Sequence, residues 1–404
     1  MARVVVLGGG FGGLTAALEL KRLLRKKAEV TVISEDDKFA FLPSLPWVAM
    51  GGRSAADITF PLRPILGKRR IAFIHEAATG VDADAAKVFT ATKEAPYDYL
   101  VISTGPYLAF EDVPGLGPDR GHSESIFTLD QAERANRAWS VFLENPGPVI
   151  IGSVQGVSCF GPPYEYAFEI DVALRKKRVR HKVPMFFVTS EPYIGHFGIG
   201  GLRDSKLLME HEFAKRDIKV VANTAVEEIV PGEVRLKDGA KVPFKLSMFA
   251  PPFRGVPVVA HLGNPKGFIP VDGNYRHMKH KNIFCVGVAV AIAPPEQTPV
   301  PTGVPKTGYM TVKMAKLAVR AIVSDITGVA PPEEIPIDVM CLMDMGDKVA
   351  LMKAYPVLPP RQESEWKQGI RYRWMKIGFE KYFIWKMRHG LSGLPDDAGF
   401  SRLL

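Results

Sequence analysis

The stretch Arg3-Val4-Val5-Val6-Leu7-Gly8-Gly9-Gly10-Phe11-Gly12-Gly13-Leu14 decides the fold. Its apolar run, 3–7, reads as a buried strand. The glycines 8–13 form a turn, and 14–26 has helical periodicity with Leu14, Ala17 and Leu18 facing inward. A second strand is predicted at 29–33, closing a βαβ unit. Gly8, Gly10 and Gly13 keep the G-x-G-x-x-G spacing of a dinucleotide-binding turn, and Gly12 lies inside it. Gly8 permits the tight turn, Gly10 admits pyrophosphate to the backbone, and Gly13 lets helix and strand pack closely. The phosphates sit on a helix N-terminus. Glu35, 22 residues after Gly13, is placed to bind ribose hydroxyls. The fingerprint does not tell FAD from NAD.

Outward from this unit, 36–97 reads as irregular and proline-rich. A strand is predicted at 97–103, ending at Thr104-Gly105-Pro106. A second α/β block starts with a strand at 148–152. It continues with strands near 185–189 and 218–221 and helices near 164–177 and 203–216. A strand at 282–286 and a helix at 307–326 follow. The expected fold class is α/β, with two Rossmann-like, doubly wound domains and a C-terminal membrane-interacting region. The first domain is discontinuous, 1–110 and 255–330. The second spans 111–254, and the C-terminal region spans 331–404.

The second block lacks an intact fingerprint. Its first strand runs into Gly152-Ser153-Val154-Gln155-Gly156-Val157-Ser158-Cys159-Phe160-Gly161, where the spacing is lost and a cysteine stands in the turn. That argues against a nicotinamide and for another reductant.

These motifs resemble the sulfide:quinone oxidoreductases of the two-dinucleotide-binding flavoprotein superfamily, almost end to end. Phe41-Leu42-Pro43-Ser44-Leu45-Pro46-Trp47 is similar to the family's flavin-proximal loop, and Ser103-Thr104-Gly105-Pro106 to its second flavin contact. Gly156 to Tyr166 resembles the first redox-cysteine segment, and Cys341 before Met345-Gly346-Asp347 the second. Gly287-Val288-Ala289 stands where related NADH dehydrogenases place Gly-Asp. Lys306, Thr307 and Gly308 belong to a segment similar to the isoalloxazine and quinone loop. Phe379-Glu380-Lys381-Tyr382-Phe383 resembles the quinone segment. The resemblance implies FAD, hydrogen sulfide and a membrane quinone. It implies flavin contacts at Leu42, Pro43, Thr104, Gly105, Gly287, Lys306, Thr307, Gly308 and Lys381. It also implies quinone-pocket walls at Gly308, Phe379, Tyr382 and Phe383. Many members carry a third cysteine in the segment matching Ser125-Ile126-Phe127. Phe127 replaces it here, so FAD is expected to be held non-covalently.

Of the three cysteines, Cys285 lies in a strand and reads as core. Cys159 precedes a helix, where a thiolate is favoured. The resemblance makes Cys341 the flavin-side sulfur and Cys159 the sulfur that receives sulfide. Thiol–disulfide exchange then leaves sulfur on the cysteines as a growing polysulfide. Glu165 and His196 are candidate proton carriers. An exposed helix carboxylate and a backbone-bonded histidine are the plainer readings. The histidines show no metal spacing.

The 404 residues carry 52 Lys+Arg against 43 Asp+Glu, a net +9, with ordinary globular composition. Seven Lys/Arg and one acid fall in 366–390, so this window holds +6, together with three of the five Trp. On a helix over 373–385, Arg373, Lys376 and Glu380 form one polar stripe, and Lys381 falls among apolar residues, where a charge needs a partner. The resemblance suggests reduced flavin as that partner. Basic and aromatic residues without a spanning apolar run suit a peripheral, monotopic contact with a lipid bilayer surface. Nucleic acid is not expected. Without an apparent signal peptide, the cytoplasmic face of the plasma membrane is the expected location, and a homo-oligomer is compatible. The remaining alternatives are a type II NADH:quinone dehydrogenase, a flavocytochrome c sulfide dehydrogenase and a non-catalytic flavin redox sensor on the membrane.

Overall fold

The structure is a computed structural model and describes residues 1–396. The final positions of the expected C-terminal region, 397–404, lie outside the described residues. Two parallel sheets organise the chain. The first has the order Ile283–Cys285, Tyr99–Ile102, Ala2–Leu7, Ala28–Ser34, Ala72–His75, with every neighbouring pair parallel. Val4, Val5, Val6 and Leu7 are all buried, the continuous apolar run of a strand covered on both faces. The second sheet has the order Ile218–Val221, Met185–Thr189, Val149–Ser153, Leu246–Ala250, again all parallel. The α/β class and the two Rossmann-like sheets are therefore as expected.

Helix Phe11–Leu24 packs against helix Gly308–Thr327 beneath the first sheet. Thr307 caps the latter by accepting from the Met310 amide at 3.3 Å, and Gly328, at φ 73°, ends it in the left-handed region.

One expectation fails. Residues 36–97 are not irregular. They form short helices at Leu45–Ala49 and Leu62–Lys68 and a three-stranded antiparallel sheet, Ala78–Asp82, Lys87–Thr90, Glu94–Pro96. Prolines opening turns and helices (Pro46 and Pro64 among them) punctuate these short elements without preventing them.

The C-terminal region packs into the body of the protein. Strands Val339–Asp344, Val349–Tyr355 and Glu363–Gly369 form an antiparallel sheet, followed by helix Arg371–Arg388. Phe383, Ile384 and Met387 of that helix belong to the same core as both parallel sheets. Each such side chain contributes about 1.5–3 kcal/mol by burial. The described residues contain no helix long and apolar enough to cross a membrane.

Candidate active site

The fingerprint turn has the geometry its glycines imply. Gly8, at φ 99°, donates to the Ile33 carbonyl at 2.8 Å. A Cβ on Gly13 would stand 1.8 Å from the Gly8 carbonyl oxygen, whereas a Cβ on Gly10 would meet nothing within 4 Å among the described residues. The turn is closed beneath and open above, a cradle for pyrophosphate. Glu35 is exposed just beyond strand Ala28–Ser34. Thr104 has a buried hydroxyl with no partner among the described residues, and Gly105 faces open space. Lys306 is buried and has no carboxylate partner among the described residues, its ammonium 4.7 Å from the Phe268 ring. Burial pulls it down to about 8, with Cys285 opposing. An unmatched cation and an orphaned hydroxyl beside an open cradle fit a flavin dinucleotide.

The other expected flavin contacts divide. Leu42 and Pro43 are exposed, and Gly287 adopts φ 74° against Thr311. The Thr307 hydroxyl is engaged in its helix cap. Gly308 packs on Phe11, so that any Cβ there would come 2.8 Å from the ring. Lys381 departs from expectation. Its side chain is 56% exposed and lies 3.5 Å from Glu380. It sits on an outward stripe with Trp374 and Trp385, not in an apolar interior. The inward face instead carries Lys376 and Glu380, which read from sequence as part of a polar stripe. Both are buried because both are paired. Lys376 Nζ is 2.5 Å from Glu165 Oε2, and Glu380 accepts from Ser44 at 2.5 Å and Arg53 at 3.0 Å.

Phe379 and Phe383 join an aromatic cluster over the fingerprint turn. The Phe383 ring is 5.0 Å from Phe11 and 5.6 Å from Phe41, and Phe379 is 5.9 Å from Phe41. Gly308 and Phe383 thus meet at Phe11, and Phe379 joins them through Phe41 and Phe383. Tyr382 is turned away, donating to the Pro395 carbonyl at 2.7 Å.

Cys159 lies two residues before helix Gly161–Lys176, and Cys341 lies in strand Val339–Asp344. Both are half-buried free thiols. Cys341 and Glu165 act electrostatically on Cys159, and Glu165 and Lys376 act on Cys341, so the four groups form one site. Burial pushes both thiols up to about 12, with neighbouring negative charge adding to the shift. The depressed thiol suggested by the helix start is not found, because desolvation outweighs the helix terminus. Glu165 is also pushed up by burial, to about 7, against the opposing pull of Lys376. Burial alone would lower Lys376, but Glu165 and Asp344 hold it above the usual lysine value. Asp344 accepts from the Trp47 indole at 2.9 Å, and Lys376 lies 4.9 Å from that ring. Glu169, one turn after Glu165, is buried with neither carboxyl oxygen bonded among the described residues. Burial holds it well above the carboxylate range.

Lys376, Asp344 and Glu169 were missed from sequence. Trp47 appeared only inside the flavin-loop resemblance. The usable signal was charge at inward-facing helical positions, Lys376 and Glu380 alongside Tyr372 and Phe383.

His196 is buried. Its Nδ1 accepts from the Gly198 amide at 3.1 Å, which leaves Nε2 to donate to Glu296 at 3.0 Å. Burial lowers its basicity. Nδ1 thus bonds backbone inside the 196–201 turn, and Nε2 ties that turn to the Glu296 side chain. Cys285 is wholly buried in its strand.

In the second sheet, the loop after Val149–Ser153 is filled by the chain itself. The Gly156 amide donates to the Pro301 carbonyl at 2.7 Å, and the Gly303 amide to that of Val157 at 2.7 Å. Glu191, beyond strand Met185–Thr189, stands where such a sheet offers its ribose acid. It is consumed by Tyr164 (2.8 Å), Thr189 (2.8 Å) and the Phe197 amide (2.7 Å).

An intact flavin cradle and a thiol pair beside a self-filled second cradle define a flavin-dependent disulfide-type oxidoreductase. Residues 2–159 match the family described as pyridine nucleotide-disulphide oxidoreductase. The chain is 44% identical over 398 residues to the sulfide-quinone reductase of Aquifex aeolicus, covering 96% of this chain and 91% of that one. The chain belongs to the sulfide-quinone reductase family. The crystal structure of the sulfide:quinone oxidoreductase from the same bacterium superimposes with a TM-score of 0.93 at 43% identity, over 96% of this chain and 92% of that one. The NDH2 structure from Plasmodium falciparum shares the fold alone, with a TM-score of 0.73 at 15% identity over 96% of both chains.

Proposed function

We propose that the chain oxidises sulfide at Cys159 and Cys341 and delivers the two electrons, through a non-covalently held FAD, to a quinone from an adjoining bilayer. The observation that carries this is the meeting of two thiols, 182 residues apart in sequence, beside the buried Glu165–Lys376 pair. Hydrosulfide attacks one sulfur of the oxidised cysteine pair, forming a persulfide and releasing the other cysteine as thiolate. Cys159 is the receiving sulfur and Cys341 the flavin-side sulfur. Glu165 accepts the proton shed by sulfide, and Lys376 stays charged and fixes the acceptor oxygen. Gly8, Gly10 and Gly13 seat the pyrophosphate, Glu35 the ribose, and Thr104 and Lys306 the ring system. Bound FAD supplies the two-electron acceptor between sulfur and quinone. Phe127, edge-on to Phe253 at 5.5 Å, offers no sulfur for covalent attachment.

Phe379, Phe383 and Gly308 wall the quinone pocket. The outward stripe of Trp374, Lys381 and Trp385 supports peripheral docking, at the cytoplasmic face on our reading. The sheets support one dinucleotide unit over 1–110 and 255–330, a second over 111–254, and a docking region after 331.

The test is anaerobic mixing of the holoprotein with sulfide and a water-soluble quinone. Sulfide-dependent quinone reduction is expected. Reduction driven by NADH and not by sulfide would overturn the reading.

A further inference from the structure

The turn Arg25–Lys27, which ends the fingerprint helix, faces the turn at Lys68-Arg69-Arg70 across an open groove of about 890 Å³. Segment 390–394, directly after the C-terminal helix, closes one side, and Arg69 ties it there by donating to the His389 carbonyl at 3.1 Å. Among the described residues every charged side chain lining the groove is basic. Arg22 is neutralised by Glu19 at 2.5 Å. Arg25, Lys26, Lys27, Lys68 and Arg70 form no ion pair among the described residues. Leu23 and Leu394, 39% and 37% exposed, stand among these cations.

A helix C-terminus accounts for cations in its own last turn. It accounts in the same way for Lys68 and Arg69 at the end of helix Leu62–Lys68, but not for two such basic ends facing one groove, nor for the leucines left in water between them. Unpaired cations around exposed apolar side chains match the boundary between lipid phosphates and acyl chains. The groove also adjoins the outward stripe of the C-terminal helix. The Trp385 ring is 5.5 Å from that of His389, whose carbonyl holds Arg69.

We infer that this groove binds anionic phospholipid headgroups and gives the N-terminal dinucleotide unit its own contact with the bilayer. The inference rests on the reading that the chain works at a bilayer surface, and the test separates the two.

The holoprotein and its K26Q/K27Q/K68Q variant are floated with vesicles of phosphatidylcholine alone and of phosphatidylcholine with phosphatidylglycerol, at low and high salt. All three positions are exposed, so the fold is not at stake. The parent should prefer the anionic vesicles, and salt should weaken that preference. The variant should lose at least about tenfold in partitioning onto anionic vesicles. It should keep its binding to neutral vesicles and its reduction of a water-soluble quinone by sulfide. Equal binding of the parent to both vesicles, or an unchanged variant, overturns the groove and leaves the membrane reading intact. A parent that floats with neither overturns both. Tighter binding of the parent to duplex DNA than to anionic vesicles, lost in the variant, would also overturn the lipid assignment.

Discussion

Lys376 Nζ lies 2.5 Å from Glu165 Oε2, which joins the C-terminal helix to the helix that follows Cys159. Both partners are buried, so neither charge tolerates loss of the other. Glu165→Gln and Lys376→Met should each destabilise by about 3–5 kcal/mol. The double variant should cost clearly less than the sum, since it leaves no unpaired charge. Denaturant unfolding of all four proteins measures the coupling, and additive losses would contradict it.

Because burial raises Glu165 to about 7 while Lys376 stays protonated, this carboxyl is neutral below that pH and an anion above it. Only the anion takes up a proton. Sulfide-dependent flavin reduction should rise through pH 7, and Glu165→Gln should lower the rate by about 10²-fold and flatten that limb. Sulfide titrates in the same range, so the difference between the two profiles is the readout. The stability consequence has the opposite sense. Between the ordinary 4.5 and about 7 the folded state holds the extra proton, so this group's contribution to stability falls as pH rises through that window.

The first sheet and the dinucleotide turn were legible because their signals are local, glycine spacing and apolar runs, whereas the pairing of Cys159 with Cys341 rested on the family resemblance alone. The charged inward face of the last helix was not legible. Lys376 and Glu380 read as a solvent stripe because charge on a helix ordinarily marks the wet side. Their partners Glu165, Arg53 and Ser44 lie 211, 327 and 336 residues away, beyond any periodic pattern. The placement of Lys381 failed for the same reason. Taking Trp374 as buried put its neighbour on the wheel inside, whereas Trp374 is 73% exposed. The thiols were misjudged because a helix start is visible in sequence and desolvation is not.

Cys159→Ser and Cys341→Ser should each abolish sulfide-dependent flavin reduction, because exchange needs both sulfurs. Stopped-flow absorbance of the bound flavin reports this directly. Cys285→Ser should stay active and lose roughly 1–3 kcal/mol, since its strand offers a hydroxyl little to bond. A folded but inactive Cys285→Ser protein would move the chemistry elsewhere.

NADH should leave the flavin oxidised on the turnover timescale and should bind weakly. The Pro301 carbonyl takes the Gly156 amide of the second cradle, the Val157 carbonyl holds the Gly303 amide across it, and Glu191 is bonded inward. Admitting a pyrophosphate would break those bonds before any new ones form. Calorimetric titration of the holoprotein should detect no nicotinamide binding at micromolar concentration. Tight binding, or bleaching by NADH, would show that the loop opens.

The last helix tests membrane contact through its two faces. Its inward face is built into the core by Phe383, Ile384 and Met387 and tied down by Glu380, so deleting the helix would confound docking with unfolding. Its outward face is separable. Trp374, Lys381 and Trp385 are spaced by seven and four residues and fall on one side at 3.6 residues per turn. Trp374→Ala/Trp385→Ala should change stability by no more than about 0.5 kcal/mol, as surface substitutions do. Flotation with neutral vesicles should weaken strongly and stay weak in high salt, because apolar burial is not screened. Reduction of a water-soluble quinone by sulfide should persist, while reduction of a long-chain quinone held in vesicles should fall with the loss of docking. Unchanged flotation of the double variant would place the bilayer contact on another surface.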